Sequence, residues 1–283
     1  MLVMKPELDP EVREVACKSI LVKSGICDYA LNCYTGCQNA CVYCYARFAS
    51  RFQHGQQPWG SFVDVKVNAP EVLRRQLARP RTYPGTVFVS SVCDGWQRLE
   101  EKYQLTRACL KPLLDAGFEL HILTKRALVE RDFDILAGRP RVELGITVTC
   151  ADESLRATIE PGASSTADRI ETLRRAAEAG IPTYAFIGPL LPGISDTQEN
   201  IDALVSDLAK TQIRYAYADR LNLRWGVWPA ILAWLKRHRP QIVADVKAAL
   251  WTEQGQQAYE RTLRQRLTDA ARKASLKAEI RST

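Results

Sequence analysis

Among the 283 residues there is no run of about 18 apolar residues, so no helix is expected to cross a membrane. Low-complexity sequence, internal repeats and polar linkers are also lacking, which excludes a disordered or collagen-like chain. Histidine is scarce: of the three, only His54 lies near a group of cysteines, while His121 and His238 are remote. A structural zinc site, which wants four ligands and usually two separated Cys or Cys/His pairs, is therefore disfavoured. The first 14 residues mix Lys5, Glu7, Asp9, Glu11 and Arg13 with apolar residues and lack the apolar core of a secretory signal, so the expected location is the cytoplasm. In that reducing compartment the nine cysteines do not read as disulfides, and some of them need another explanation.

What is present is ordinary globular composition, 46% hydrophobic and 25% charged, at a length that fits one large α/β domain as well as two small ones. The net charge of +7 allows contact with phosphates without demanding it. The basic excess gathers at Arg261, Arg264, Arg266, Arg272, Lys273, Lys277 and Arg281, with a second group at Arg74, Arg75, Arg79 and Arg81. Solvated helix faces are the simpler reading of both groups, and nucleic acid stays open.

Past the first 30 residues, short β-branched runs alternate with amphipathic stretches. Strands are expected at 28–31, 86–92, 119–124, 142–149, 181–187 and 214–223, and helices at 104–116, 127–137, 167–179 and 197–209. Each unit has the length of a βαβ crossover, so the sheet should be parallel, with its chemistry at the C-terminal ends of the strands. Six such units fit an open doubly wound sheet or an incomplete barrel, between which periodicity does not choose. Residues 1–27 form an N-terminal extension, 28–223 the core and 224–283 a helical C-terminal extension, where Trp228, Ile231, Leu232 and Leu235 fall on one helix stripe.

The most informative stretch is Cys33-Tyr-Thr-Gly-Cys37-Gln-Asn-Ala-Cys41-Val-Tyr-Cys44-Tyr45, on the loop after the first expected strand. Cys37, Cys41 and Cys44, spaced C-x3-C-x2-C, can hold three corners of an iron–sulfur cubane and leave one iron open for a small molecule. A ferredoxin-like cluster would use four cysteines. Cys33 reads as a small buried thiol, although Cys17, Cys27 and Cys33 with a distant fourth ligand could hold an auxiliary cluster.

This motif, with Tyr43 before its last cysteine, resembles the radical S-adenosylmethionine (SAM) superfamily. The wider sequence looks like its spore-photoproduct-lyase-related branch, through NCYTGCQNACVYCYAR, VFVSSVCDGWQ, LTKRALVERDFDIL, ITVT, IEPGASSTADRIETL and GIPTYAFIGPLLPGISD. The resemblance implies an α/β fold, an incomplete (β/α)6 TIM-like barrel with a helical C-terminal extension. It implies a [4Fe–4S] cluster on Cys37, Cys41 and Cys44, with SAM on the open iron. The implied activity is reductive cleavage of SAM, giving a 5′-deoxyadenosyl radical that takes hydrogen from a substrate. That substrate is a small molecule, a peptide or nucleic acid, and flavodoxin or ferredoxin is the implied electron donor. A lyase acting on a DNA lesion and a non-enzymatic electron-transfer protein are the alternatives.

Among the cofactor contacts, Tyr43 is expected against the adenine, Ser91 and Cys93 at the SAM amino or carboxylate group, and Lys125 on the SAM carboxylate as a point charge. Thr147 and Thr149, on one side of a strand, could bond the ribose or amino group, and Pro189 shapes the loop past the adenine. Polar strand ends, strand-forming threonines and core tyrosines need no such roles. In the DNA-repair member of this branch a cysteine returns hydrogen to the product radical. That position is Ser91 here, with Cys93 two residues on, so Cys93 and Tyr45 are the hydrogen-transfer candidates. Glu160 and Arg169 read as a salt bridge bracing the loop between them.

Overall fold

The expected alternation of strands and helices is found, with additions at both edges. A computed structural model describes residues 10–52, 54–55, 57–79 and 84–282; Arg81 and most of the first 14 residues lie outside them. The strands are β1 (Glu11–Val15), β2 (Leu21–Lys23), β3 (Tyr29–Leu31), β4 (Tyr34–Thr35), β5 (Phe62–Lys66), β6 (Thr86–Val89), β7 (Glu119–Thr124), β8 (Val142–Val148), β9 (Thr183–Leu190), β10 (Tyr215–Arg220) and β11 (Glu279–Ser282). The main sheet has the order β11-β10-β9-β8-β7-β6-β3-β2 and does not close into a barrel. Its seven strands from β11 to β3 run parallel, and only β2 pairs antiparallel, with β3. The six expected strands form the centre of this sheet. The segment 224–283, expected to be helical, also supplies β11 as a further parallel strand. A separate small sheet, β1-β5-β4, carries the segment between the cysteine loop and the core.

Alternation along each strand divides the sheet into two faces. Val87, Val89, Leu120, Ile122, Leu144, Ile146, Ala185, Ile187 and Ala216 point outward into one continuous core with the helices Leu105–Asp115, Thr166–Glu178, Gln198–Leu208 and Glu253–Lys273. Burying each valine, leucine or isoleucine side chain among them contributes about 1.5–3 kcal/mol. The opposite, concave face carries the residues between: Phe88, His121 and Glu143 in one register row, Leu123, Gly145, Tyr184 and Tyr215 in the next, and Thr147, Phe186 and Tyr217 in a third.

The rings on this face pack on one another. His121 stacks on Tyr184 at 4.9 Å and Tyr184 on Tyr215 at 5.3 Å between centroids. The Tyr184 hydroxyl meets His121 Nε2 at 2.7 Å, and Tyr215 donates to Glu143 at 2.5 Å. Gly145 makes room for this arrangement, since a Cβ there would lie 2.1 Å from Tyr184 Cζ.

Helix ends follow local chemistry. Ser165 caps Thr166–Glu178 by accepting from the Asp168 amide, and Thr197 caps Gln198–Leu208 in the same way from Asn200. The stretch expected as a helix at 127–137 is instead a 3-10 helix, Ala127–Asp132, followed by the short helix Phe133–Leu136. Val129 and Asp132, three apart, share its buried edge, which suits a three-residue turn.

Candidate active site at the cysteine cavity

The loop from Asn32 to Cys44 leaves the C-terminal end of β3 and is held by contacts from four directions. Gly36 has φ +89°, and a Cβ there would sit 2.3 Å from the Phe62 carbonyl oxygen, so only glycine lets the loop pass β5. The Val42 amide donates to the Ile159 carbonyl at 2.9 Å, and Gly162 donates to the Asn39 carbonyl at 3.2 Å. Gln97 Oε1 accepts the Gln38 amide at 2.9 Å. Arg47 donates to the Cys41 carbonyl at 3.0 Å. The three motif thiols are thereby fixed beside the ends of β6, β7 and β8.

They line a cavity with Asn39, Tyr45, Ala46, Trp59, Phe88, Ser90, Ser91, Val92, Cys93, Asp94, Leu123, Thr124, Lys125 and Thr147. Of the residues expected from sequence, Cys37, Cys41, Cys44, Tyr45, Ser91, Cys93, Lys125 and Thr147 thus meet at one place. Tyr43, Thr149 and Pro189 are not in this lining. Tyr43 and Thr149 instead direct their hydroxyls to Glu160 behind the cavity wall, with Thr149 also bonded to the Gly188 carbonyl. Pro189 lies within β9 after a cis peptide bond. Cys33 is fully buried, its Sγ 4.0 Å from Cys109 Sγ.

Two buried carboxylates brace this cavity. Asp94 Oδ1 accepts from the Trp96 amide (3.0 Å) and Thr124 Oγ1 (2.7 Å), and Oδ2 from Asn39 Nδ2 (2.8 Å) and the Lys125 amide (2.9 Å). It therefore joins the cysteine loop to the ends of β6 and β7. On the other side Glu160 receives Tyr43, Thr149 and, at 2.5 Å, Arg169, whose guanidinium also donates to the Thr147 carbonyl at 3.1 Å. Both partners of this salt bridge are fully buried. Burial pushes the Glu160 carboxyl upward, and the Arg169 charge opposes that push.

Burial likewise raises the thiols of Cys37, Cys41 and Cys44, with the Lys125 charge acting the other way on the last two. Lys125 Nζ stands 5.7 Å from the centre of the Tyr43 ring. Cys93 is pushed up to about 12, mainly by burial, and its Sγ approaches Asn32 Oδ1 at 3.7 Å. Tyr45 donates its hydroxyl hydrogen to the Ser91 carbonyl. Ser90 has a positive φ of +71°, unusual for a residue other than glycine and of a kind that clusters at functional sites.

The donor set suits an iron–sulfur cluster with SAM. Three cysteine thiols in one cavity are the ligand type of iron–sulfur clusters, although among the described residues no group of three His, Cys, Asp or Glu side chains is placed to hold a metal ion. The thiols would bind a cluster as thiolates, releasing their protons, and the cationic irons would supply the counter-charge that burial withholds from a free thiolate. Asn39 Oδ1 and Thr147 Oγ1 are buried in the lining without a hydrogen-bond partner among the described residues, leaving polar atoms for a ligand to meet.

Sequence reasoning missed Asn39, Trp59, Phe88 and Leu123 as cavity residues. The inward parity of Phe88 and Leu123 on their strands was available as a signal, but nothing local marks Asn39 or Trp59.

An open parallel βα sheet with a three-thiol cavity at its C-terminal edge defines a class of cofactor-dependent enzymes. The family model of the radical SAM superfamily matches residues 31–205, and the chain belongs to that superfamily. It is 36% identical to an uncharacterized protein of Methanocaldococcus jannaschii over 197 residues, covering 69% of this chain and 71% of the relative. A radical SAM Nα-GlyT isomerase of Pseudomonas phage M6 is 24% identical over 206 residues, 72% of this chain and 42% of that one. Among solved structures, spore photoproduct lyase complexed with dinucleoside spore photoproduct superposes with a TM-score of 0.69 at 15% identity, covering 96% of this chain and 82% of that one. Streptococcus suis SuiB bound to precursor peptide SuiA gives a TM-score of 0.53 at 13% identity, over 97% and 49% of the respective chains. The fold is that of the radical SAM enzymes, with SAM and an iron–sulfur cluster implied by the family.

Proposed function

We propose that the chain binds a [4Fe–4S] cluster through Cys37, Cys41 and Cys44 and uses it with SAM for hydrogen abstraction from a substrate lying against the concave face of the sheet. The observation that carries this reading is the meeting of the three thiols, Lys125 and the unpartnered Thr147 hydroxyl in one cavity whose floor, at Phe88 and Leu123, continues into that face. When bound, the cluster and SAM supply reductive cleavage to methionine and a 5′-deoxyadenosyl radical, the hydrogen-abstracting species.

The protein's part is binding, orientation and exclusion of water. Lys125 offers its charge to the SAM carboxylate, and Asn39, Ser91 and Thr147 offer polar atoms to its amino group and ribose. Tyr43, held by Glu160, keeps the segment before Cys44 in place. Pro189 acts through the backbone of β9, and Thr149 through Glu160. Cys93, its thiol kept protonated by burial, carries a hydrogen that can be transferred to a carbon radical, and Tyr45 stands beside it at Ser91. Residues 28–223 are the catalytic unit, flanked by 1–27 and 224–283. A reduced flavodoxin or ferredoxin supplies the electron, as suits a cytoplasmic setting.

The test is anaerobic reconstitution followed by dithionite and SAM, with iron, sulfide and 5′-deoxyadenosine measured. Wild type takes up about four irons and releases 5′-deoxyadenosine, and the variant with all three motif cysteines replaced by Ala does neither. Wild type that keeps zinc and takes no iron refutes the reading. An intact cluster without SAM cleavage would make this an electron-transfer protein.

A second reading, a nucleic-acid substrate, is favoured by Trp225 and Trp251, 51% and 54% exposed, and by Arg224 over the Phe48 ring on the motif side. Exposed aromatics and arginines stack on bases and contact phosphates. Filter binding to single-stranded and duplex DNA should then weaken steeply with salt, and binding indifferent to salt refutes it.

A further inference from the structure

We propose that Trp59 donates its indole N–H to a sulfur of the cluster held by Cys37, Cys41 and Cys44, and so helps to set that cluster's reduction potential. The inference rests on the cluster assignment above and adds a residue that no motif contains.

Trp59 is 8% exposed and lines the cysteine cavity. It packs in one group with Cys37, Ala46 and Phe62, against which Cys44 and Val92 also lie. The Phe62 ring meets it edge-on, 6.1 Å between centroids and 85° between planes. Its Nε1 is buried with no acceptor among the described residues. Leaving a buried donor unpaired costs about 1–3 kcal/mol. The buried Trp96 Nε1, by contrast, donates to Asp132 at 2.8 Å, whereas Trp234 Nε1 shares with Trp59 the lack of an acceptor among the described residues.

The surroundings of Trp59 say which acceptor fits. Its packing group holds two of the three motif thiols, Cys37 and Cys44, which places it on the thiol side of the cavity, while Lys125 and Thr147 lie towards the ends of β7 and β8. A cysteine thiolate or a bridging sulfide is the acceptor class that a cluster brings to this side. Hydrogen bonds to cluster sulfurs stabilise the more negative, reduced state and raise the potential. Phe62 fixes the indole plane, so the donor is oriented before the cluster arrives.

The experiment compares wild type, Trp59→Phe, Trp59→His and Trp234→Phe after anaerobic reconstitution. Trp234 also has a buried, unpartnered N–H; it packs in the group that contains Cys41 but is outside the lining of the cysteine cavity, in the helix Val227–His238, and serves as the control. Protein grown with indole-15N tryptophan is reduced and measured by pulsed EPR in H2O and D2O, and midpoint potentials come from redox titration. The expected result is a 15N coupling and an exchangeable proton coupling in wild type and Trp234→Phe. Both couplings are lost in Trp59→Phe, whose potential moves more negative at unchanged iron content. Trp59→His, which keeps a ring N–H, recovers part of the shift.

A normal cluster with no 15N coupling in wild type overturns the inference and leaves the cluster assignment standing. So does an unchanged potential in Trp59→Phe. Should Trp59→Phe hold no iron, the coupling in wild type decides alone. Wild type that takes up no iron overturns the cluster assignment and this inference with it.

Discussion

Replacing Arg169 by Met tests the bracing of the cavity most directly. The guanidinium is fully buried and donates to Glu160 at 2.5 Å, to the Ser164 carbonyl at 2.9 Å and to the Thr147 carbonyl at 3.1 Å. Methionine fills most of the volume but leaves the Glu160 carboxylate buried without its counter-charge. Breaking one side of a buried ion pair costs about 3–5 kcal/mol. For 283 residues the unfolding entropy near the midpoint is about 0.6 kcal/mol/K, so Tm should fall by roughly 5–8 °C.

The loss also has a sign with pH. Burial already raises Glu160, and without Arg169 it rises further, so the folded state gains affinity for a proton. A carboxyl raised on folding favours the fold at low pH and loses that contribution as pH rises through its folded pKa. The variant should therefore lose least near pH 5 and most at pH 7–8. The double variant Glu160→Gln, Arg169→Met, which removes both charges, should be more stable at pH 7.5 than Arg169→Met alone. Calorimetry across pH on the wild type and the two variants reads both effects. An Arg169→Met Tm within about 1 °C of wild type at pH 7.5 would refute the reasoning.

Gly145→Ala drives a Cβ against the Tyr184 ring and should cost about 1–3 kcal/mol in denaturant titrations; combined with Tyr184→Ala it should cost no more than Tyr184→Ala alone. Asp94→Asn turns amide hydrogens towards two of the four donors that Asp94 accepts from, so a loss of at least about 1–3 kcal/mol and poorer iron retention are expected. Cys93→Ala should leave the iron content unchanged and lower 5′-deoxyadenosine formation per cluster. Unchanged yields of both would reduce Cys93 to a packing residue.

The central strands were legible because β-branched runs such as TVFV and VELGITV are bounded by Gly and Pro and buried on their outward side. The edges were not. In β11, the stretch EIRS carries Glu279 and Arg281, exposed residues that look like helix or loop, and only pairing with β10 makes it a strand. Similarly β1, EVREV, is mostly exposed and is defined by its partner β5. Local pattern does not report a partner about 50 or more residues away. The three thiols meet in one cavity for the opposite reason: all lie within eight residues, so their spacing alone keeps them near one another. Thr147 and Thr149 show the limit of parity, because β8 ends at Val148 and the second hydroxyl turns to Glu160.

Asp94 and Glu160 explain why a loop of short-range sequence makes a site of long-range precision. Each is a buried carboxylate saturated by donors from separate elements: Asp94 by Asn39, the Trp96 amide, Thr124 and the Lys125 amide, Glu160 by Tyr43, Thr149 and Arg169. One anchors the cysteine loop at Asn39 and the other at Tyr43, four residues apart, so the segment carrying Cys41 is pinned on both sides. A flexible loop with the same three thiols would leave them unaimed. Fixing the loop to the ends of β6, β7 and β8 sets the thiols relative to Lys125 and Thr147. A carboxyl suits this role because its two oxygens gather several donors at once, and each donor comes from an element the parallel sheet has already placed. The cofactor cavity is therefore a property of the sheet's C-terminal edge, with the cysteine motif docked onto it.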